Sequence, residues 1–165
     1  MAEIIKALNV YKAYRSQPVL KGLTFNVKEG EIVGLLGPNG SGKTTTIRLL
    51  NGVINQDKGE IEVFGLDPQI EGDKARKLTG VLTESAGLYP HLSGEENLRF
   101  FGELYNIKDD SHIETLLRDF GLYEHKDKKV GVYSTGMTKR LGIAKALLHN
   151  PKLLFLDEPT TGLDP

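Results

Sequence analysis

The chain has 165 residues, which fits one domain and allows a sizeable core. Its 39% hydrophobic and 26% charged residues are the proportions of ordinary globular proteins, and a net charge of -1 lacks the basic excess that a nucleic-acid partner calls for. The absence of cysteine excludes disulfides and thiolate metal sites, and no apolar run reaches the roughly 20 residues that span a bilayer, so any service to a membrane is expected from its side.

The opening "MAEIIKALNV" does not read as a signal peptide, because charges interrupt its apolar stretch. "ALNVYKAY" and "VLKGLTFNV" alternate apolar and polar residues, which predicts half-buried antiparallel strands. "EIVGLLG", Glu31 to Gly37, leaves no polar face in Ile32, Val33, Leu35 and Leu36, which predicts a strand buried on both sides. A glycine-rich stretch and then "KTTTIRLLNGV" follow, the latter a helix with Ile47, Leu49 and Leu50 toward the core. Strand, glycine loop and helix together start an α/β unit. "GEIEVFG" and "LTGVLT" read as two more strands, with a charged helix over Ile70 to Leu78 between them.

The middle of the chain changes character. In "LSGEENLRFFGELYNI", Ser93 and Glu96 stand at capping-box spacing, and Leu98, Phe101, Leu104 and Tyr105 fall on one helical face. A second helix is predicted over Ser111 to Phe120, stopped by Gly121. The stretch 93–130 therefore reads as a helical subdomain inserted into an α/β core. "STGMTKRLGIAKALLHN" is a further helix, with Leu141, Ala144 and Leu148 spaced for burial and Pro151 ending it; "KLLFLD" is a final apolar strand. Lys126, Lys128 and Lys129 cluster among acids and read as a solvated loop.

"GPNGSGKT", Gly37 to Thr44, fits G-x-x-x-x-G-K-[ST] at every fixed position. Gly37, Pro38, Asn39, Gly40, Ser41 and Gly42 form a loop whose backbone N–H groups can wrap phosphates. Lys43 can reach the β- and γ-phosphates, the Thr44 hydroxyl can coordinate Mg²⁺, and the helix adds its positive dipole end. The match stands after the predicted buried strand and before a helix, as that chemistry requires. At the other end of the chain, "LLFLDE" sets Asp157 and Glu158 at the carboxyl end of a hydrophobic strand, the edge where ligands of open α/β sheets gather. Asp157 suits Mg²⁺ and Glu158 suits an attacking water; two surface acids ending a strand are the other reading of the pair by itself.

These residues resemble the nucleotide-binding domain of ATP-binding-cassette (ABC) transporters, over essentially the whole chain. "YSTGM", Tyr133 to Met137, stands where that family has L-S-G-G-Q; Ser134 and Gly136 match, whereas Tyr133, Thr135 and Met137 depart. "GPNGSGKTTT", "GLYPHLSGEENL" and "TTGLDP" are similar to the bacterial exporters whose ATPase and membrane subunits are separate chains. The resemblance implies a P-loop NTPase (RecA-like) core with an N-terminal antiparallel β subdomain and an inserted helical subdomain. It implies ATP and Mg²⁺ as ligands, hydrolysis of ATP, a head-to-tail pair of such subunits, and integral membrane permease subunits as partners, on the cytoplasmic face of the membrane. Each site would join one copy's phosphate loop to Ser134 and Gly136 of the other.

Further roles follow from the same resemblance. Thr45 would help bind phosphate, and Asp164 stands at the D-loop, across the dimer interface. Tyr14 stands where the family stacks an aromatic on adenine; a strand aromatic packed on the core is the other reading. The family's glutamine beside Mg²⁺ and the attacking water is replaced by Glu84 in "GVLTESAGLYP", either a ligand of that kind or a solvated loop acid. His91, His112, His125 and His149 lie outside these motifs and read as structural or solvated. Two rival functions stay open on sequence alone: a soluble ABC ATPase of DNA repair or translation, and a nucleotide switch without turnover. Finally, the resemblance implies that the domain is incomplete at its C-terminus, ending at the D-loop. The 165 residues alone are then expected to hydrolyse ATP poorly, with the strand at Glu31 to Leu36 and that at Lys152 to Asp157 facing a gap.

Overall fold

A computed structural model describes residues 2–159, in two compact units divided after Arg76. Asp164 lies outside the described residues, as does all of "TTGLDP".

The first unit is built on an antiparallel sheet of β1 (Glu3–Tyr14), β2 (Gln17–Lys28) and β3 (Lys58–Val63), in the order β2-β1-β3. Ile5, Ala7 and Val10 of β1 are buried with Leu20, Val27, Ile61 and Val63. The inward set moves from odd to even positions between Ala7 and Val10, where the register shifts and Asn9 takes φ 48°. Such a bulge re-aims the side chains beyond it. Arg15 and Ser16, at φ 47° and 67°, close the hairpin between paired Tyr14 and Gln17, the double positive φ that a two-residue hairpin loop needs. Helix α1 (Lys43–Leu50) buries Thr46, Ile47, Leu49 and Leu50, as expected.

The stretch from Glu31 to Leu36 departs from expectation. It belongs to no strand, and Ile32 and Leu36 are almost fully exposed, with Val33 and Leu35 exposed beside them. An apolar run becomes a buried strand only when neighbours take up its backbone N–H and C=O groups and cover its side chains. Among the described residues no strand pairs with it: β1 is flanked on both sides by β2 and β3.

In the second unit, β4 (Thr79–Leu82) and β5 (Leu153–Leu156) pair in parallel, from Thr79 opposite Leu153 to Leu82 opposite Leu156. Three helices accompany them: α3 (Gly94–Leu104), α4 (Asp110–Asp119) and α5 (Thr135–Leu147). A further short helix, α2 (Gly72–Leu78), lies at the division between the units and starts two residues later than predicted. Helix α5 runs close over β4, since a Cβ on Gly80 would lie 2.1 Å from the Ala146 carbonyl oxygen. Leu98, Leu117, Leu122, Leu141 and Leu148 are fully buried in one cluster with Ile113, Leu116, Val130 and Ala144. Each such leucine contributes about 1.5–3 kcal/mol by leaving water.

The capping box forms as read: Glu96 N–H donates to Ser93 Oγ at 3.1 Å, and Ser93 N–H to Glu96 Oε2 at 2.7 Å. Gly121, at φ 62°, follows the end of α4. The apolar face of α3 is narrower than its spacing suggests. Leu98 is fully buried, but Leu104 and Tyr105 are exposed, because the helix ends there and Gly102 turns into its C-terminal hydrogen bonds. Their place is taken by Asn97, fully buried, whose side chain accepts from Tyr89 N–H at 2.8 Å and donates to the carbonyls of Tyr89 and Ser93 at 3.1 and 2.8 Å. Glu95 joins Arg99 and Lys126 in an ion-pair network, and an isolated bridge between Ser93 and Lys129 brings the two ends of the helical stretch together. The Lys126 ammonium, then the Arg99 guanidinium, holds the Glu95 carboxyl below the usual range. His112 Nε2 and His149 Nε2 lie 2.9 and 3.0 Å from the carbonyl oxygens of Leu148 and Thr79, structural placements as expected. Among the described residues no helix is long and apolar enough to cross a membrane.

Candidate functional site

In the first unit the glycine-rich loop leads directly into α1. Gly42 stands at the N-cap with φ 97°, and a Cβ there would lie 2.7 Å from Leu20 Cδ2. Only glycine satisfies both the left-handed backbone and the approach to β2. Residues Gly37, Pro38, Asn39, Gly40 and Ser41 are exposed, with Ser41 N–H donating to the Pro38 carbonyl at 3.1 Å. Lys43 is half-buried. Its ammonium donates to the carbonyl oxygens of Gly37 and Pro38 at 2.8 and 3.1 Å, so it already points back over the loop. Thr44 presents an exposed position in the first turn, Thr45 is half-buried, and Thr46 Oγ1 donates to the Gly42 carbonyl at 2.9 Å, tying the helix start to the loop.

Tyr14 ends β1 beside the hairpin turn and is 42% exposed, which separates it from the buried strand positions Ile5, Ala7 and Val10. Lys12 Nζ lies 5.7 Å from the ring centroid. Asp57, which belongs to no motif, accepts from Lys12 Nζ at 2.9 Å and from Ala13 N–H at 2.7 Å, and so fixes the end of the strand that carries Tyr14. The Lys12 ammonium, then the Ala13 N–H, holds the Asp57 carboxyl below its usual value. Sequence offered no periodicity for this tie, since the partners are 44 positions apart.

In the second unit, the parallel register sets the ends of β4 and β5 side by side, while among the described residues no group of three or more His, Cys, Asp or Glu side chains gathers as a metal site. Leu82 and Leu156 end β4 and β5 side by side, and Asp157 N–H donates to the Leu82 carbonyl at 2.9 Å. Glu84 therefore leaves the end of β4 next to where Asp157 and Glu158 leave β5. Asp157 is buried, Glu84 and Glu158 are exposed, and Glu158 takes φ 50°. A left-handed carboxylate residue at a strand end is a strained placement of the kind that clusters at functional sites. Ser134 caps α5, its Oγ accepting from Met137 N–H at 3.2 Å, and Gly136 follows in the first turn.

Comparison with known proteins gives these features a context. The family described as ABC transporter matches residues 20–161. An uncharacterized ABC transporter ATP-binding protein, YdbJ of Bacillus subtilis, is 45% identical over all of this chain and 54% of its own length. The bacitracin transport ATP-binding protein BcrA of Bacillus licheniformis is likewise 45% identical, over 100% of this chain and 54% of its own. The chain thus spans about half the length of the curated relatives it matches. A solved structure of the ATP binding subunit of an ABC transporter superposes with a TM-score of 0.87 at 32% identity, covering 98% of this chain and 69% of that one.

Proposed function

The chain belongs to the ABC transporter family, and from that premise we propose that it supplies the ATP-binding and ATP-hydrolysing machinery of an export system. The observation that carries this reading is the pair of half-sites: a phosphate loop with Lys43 turned over it, and a parallel sheet edge bearing Asp157, Glu158 and Glu84. The first suits a nucleoside triphosphate. The second suits a metal and an attacking water.

In this mechanism the backbone N–H groups of Gly37 to Lys43 wrap the phosphates, and Lys43 exchanges its two carbonyl partners for phosphate oxygens. Thr44 and Asp157 would hold Mg²⁺, which would supply positive charge against that developing on the transferred phosphoryl group. Glu158 orients and polarises the water that attacks the γ-phosphorus, and Glu84 lines the same water or metal from the neighbouring loop. Thr45 adds a phosphate contact, and Tyr14, half exposed, offers a ring face to adenine. Two copies, or this subunit and a paired one, would close head to tail over ATP. Ser134 and Gly136, and Asp164 beyond the described residues, would then meet the partner's nucleotide. Closure and reopening would drive separate membrane permease subunits, met by the helical stretch 93–130 on the cytoplasmic face. Such export is in keeping with the transport named for BcrA.

Substitution of Glu158 tests this. In the full-length protein, Glu158→Gln keeps both hydrogen-bonding reach and size, so ATP should still bind while steady-state hydrolysis falls at least about a hundredfold. Turnover near wild type would remove Glu158 from the mechanism.

A further inference from the structure

We propose that Lys145 is a positioning residue for the loop that follows β4, residues 83–88, and through it for Glu84. This rests on the role given to Glu84 above. Lysines usually keep their ammonium in water, even when the stem lies along apolar surface. Lys145 instead turns its ammonium inward from the last turn of α5. It donates to the Ala86 carbonyl oxygen and lies 4.7 Å from the centroid of the Phe101 ring on α3. Burial pushes the Lys145 ammonium below the usual lysine range. The local structure accepts that cost, and the loop shows why a firm hold is needed.

Ala86 and Gly87 stand in succession at φ 54° and 58°, a left-handed pair in which Ala86 carries a Cβ penalty. Two short-range bonds close the turn: Ala86 N–H donates to the Thr83 carbonyl at 3.0 Å, and Gly87 N–H to the Ser85 carbonyl at 2.6 Å. Strained turns persist where their surroundings over-determine them. Here the surroundings are α5. Ala86 is buried against Gly142, where an added Cβ would lie 2.9 Å from the Ala86 Cβ and 2.8 Å from Leu82 Cδ1. Lys145 takes the Ala86 carbonyl one turn further along the same helix. A Cβ on Gly87 would lie 3.3 Å from Lys145 Nζ, so both left-handed residues sit under the ammonium. Glu84 itself is exposed, and its direction depends on the backbone of this turn. The helix that grips the turn is the one capped by Ser134. Lys145 thereby ties this loop to the helix that carries Ser134 and Gly136.

The experiment compares Lys145→Met, Lys145→Arg, Glu84→Gln and the double variant Lys145→Met/Glu84→Gln in the full-length protein. Hydrolysis is followed against MgATP and against free Mg²⁺, and amide hydrogen exchange is followed over residues 83–88 without nucleotide. Lys145→Met keeps the stem and removes the donor. It should lower kcat about tenfold or more with KM for ATP changed less than about twofold, because a displaced group costs rate more than binding. It should shift the Mg²⁺ dependence in the direction that Glu84→Gln shifts it, and speed exchange at Ala86 and Gly87. Lys145→Arg, still a cationic donor, should restore most of the turnover. The double variant should be no slower than the slower single one, since both act through one group. A Lys145→Met protein that only melts earlier, with kcat and loop exchange unchanged, overturns the proposal. So does a double variant whose losses multiply. A silent Glu84→Gln would instead remove Glu84 from the mechanism, and the exchange at 83–88 would still decide, by itself, whether Lys145 holds the loop. Should Lys145→Met not fold, Lys145→Gln carries the same comparison.

Discussion

Lys43→Ala probes the phosphate loop most directly, and the structure sets the size of its effect. In the resting loop the Lys43 ammonium makes two hydrogen bonds, to the Gly37 and Pro38 carbonyls at 2.8 and 3.1 Å. Binding must break them, at about 1 kcal/mol each. In return Lys43 meets the β- and γ-phosphates, each contact contributing about 1.5–3 kcal/mol, or roughly 3–6 kcal/mol gross. The difference, about 1–4 kcal/mol, corresponds to a factor of about 5 to 700 in Kd. The loss should be smaller for ADP, which lacks the γ-phosphate. Calorimetric titration of the full-length wild type and Lys43→Ala with MgATP and MgADP reads both numbers. An ATP affinity unchanged within a factor of about two would refute the assignment of this loop to phosphate binding.

Three other expectations are independent of that one. Glu84→Gln should change both the Mg²⁺ and the pH dependence of hydrolysis, because it removes a negative charge at the sheet edge; steady-state rates across both variables check this, and identical profiles return Glu84 to the solvent. Glu95, whose folded carboxyl titrates below the usual glutamate value of about 4.3, contributes stability that is present above that pH and lost as pH falls through its depressed value. Thermal melts should therefore show wild type more stable than Glu95→Gln near neutrality, with the gap closing below about pH 4; a gap independent of pH removes the ion-pair network from the stability of the helical stretch. The 165-residue chain assayed alone should turn over ATP poorly or not at all, since residues 31–36 enter the phosphate loop exposed and outside any sheet; sustained hydrolysis by the purified monomer at the full-length rate would overturn this.

What the amino-acid sequence determined by itself is local. The glycine-rich turn before α1, the capping box at Ser93 and Glu96, the stop at Gly121 and the hairpin strands are written in residues a few positions apart, where backbone sterics and short-range hydrogen bonds decide the outcome. The side-by-side exit of Glu84, Asp157 and Glu158 needed the parallel register of β4 and β5, whose partners lie more than seventy positions apart. Asp57 at the Ala13 N–H and Lys145 at the Ala86 carbonyl were invisible for the same reason: a single charged residue carries no periodicity, and its partner is chosen by packing. The apolar run Glu31 to Leu36 shows the limit from the other side. Its composition suits a buried strand, but burial and ladder hydrogen bonds are supplied by neighbours, and among the described residues none lies beside it. Propensity belongs to a segment, whereas a strand belongs to a sheet, so only the tertiary structure could decide between them.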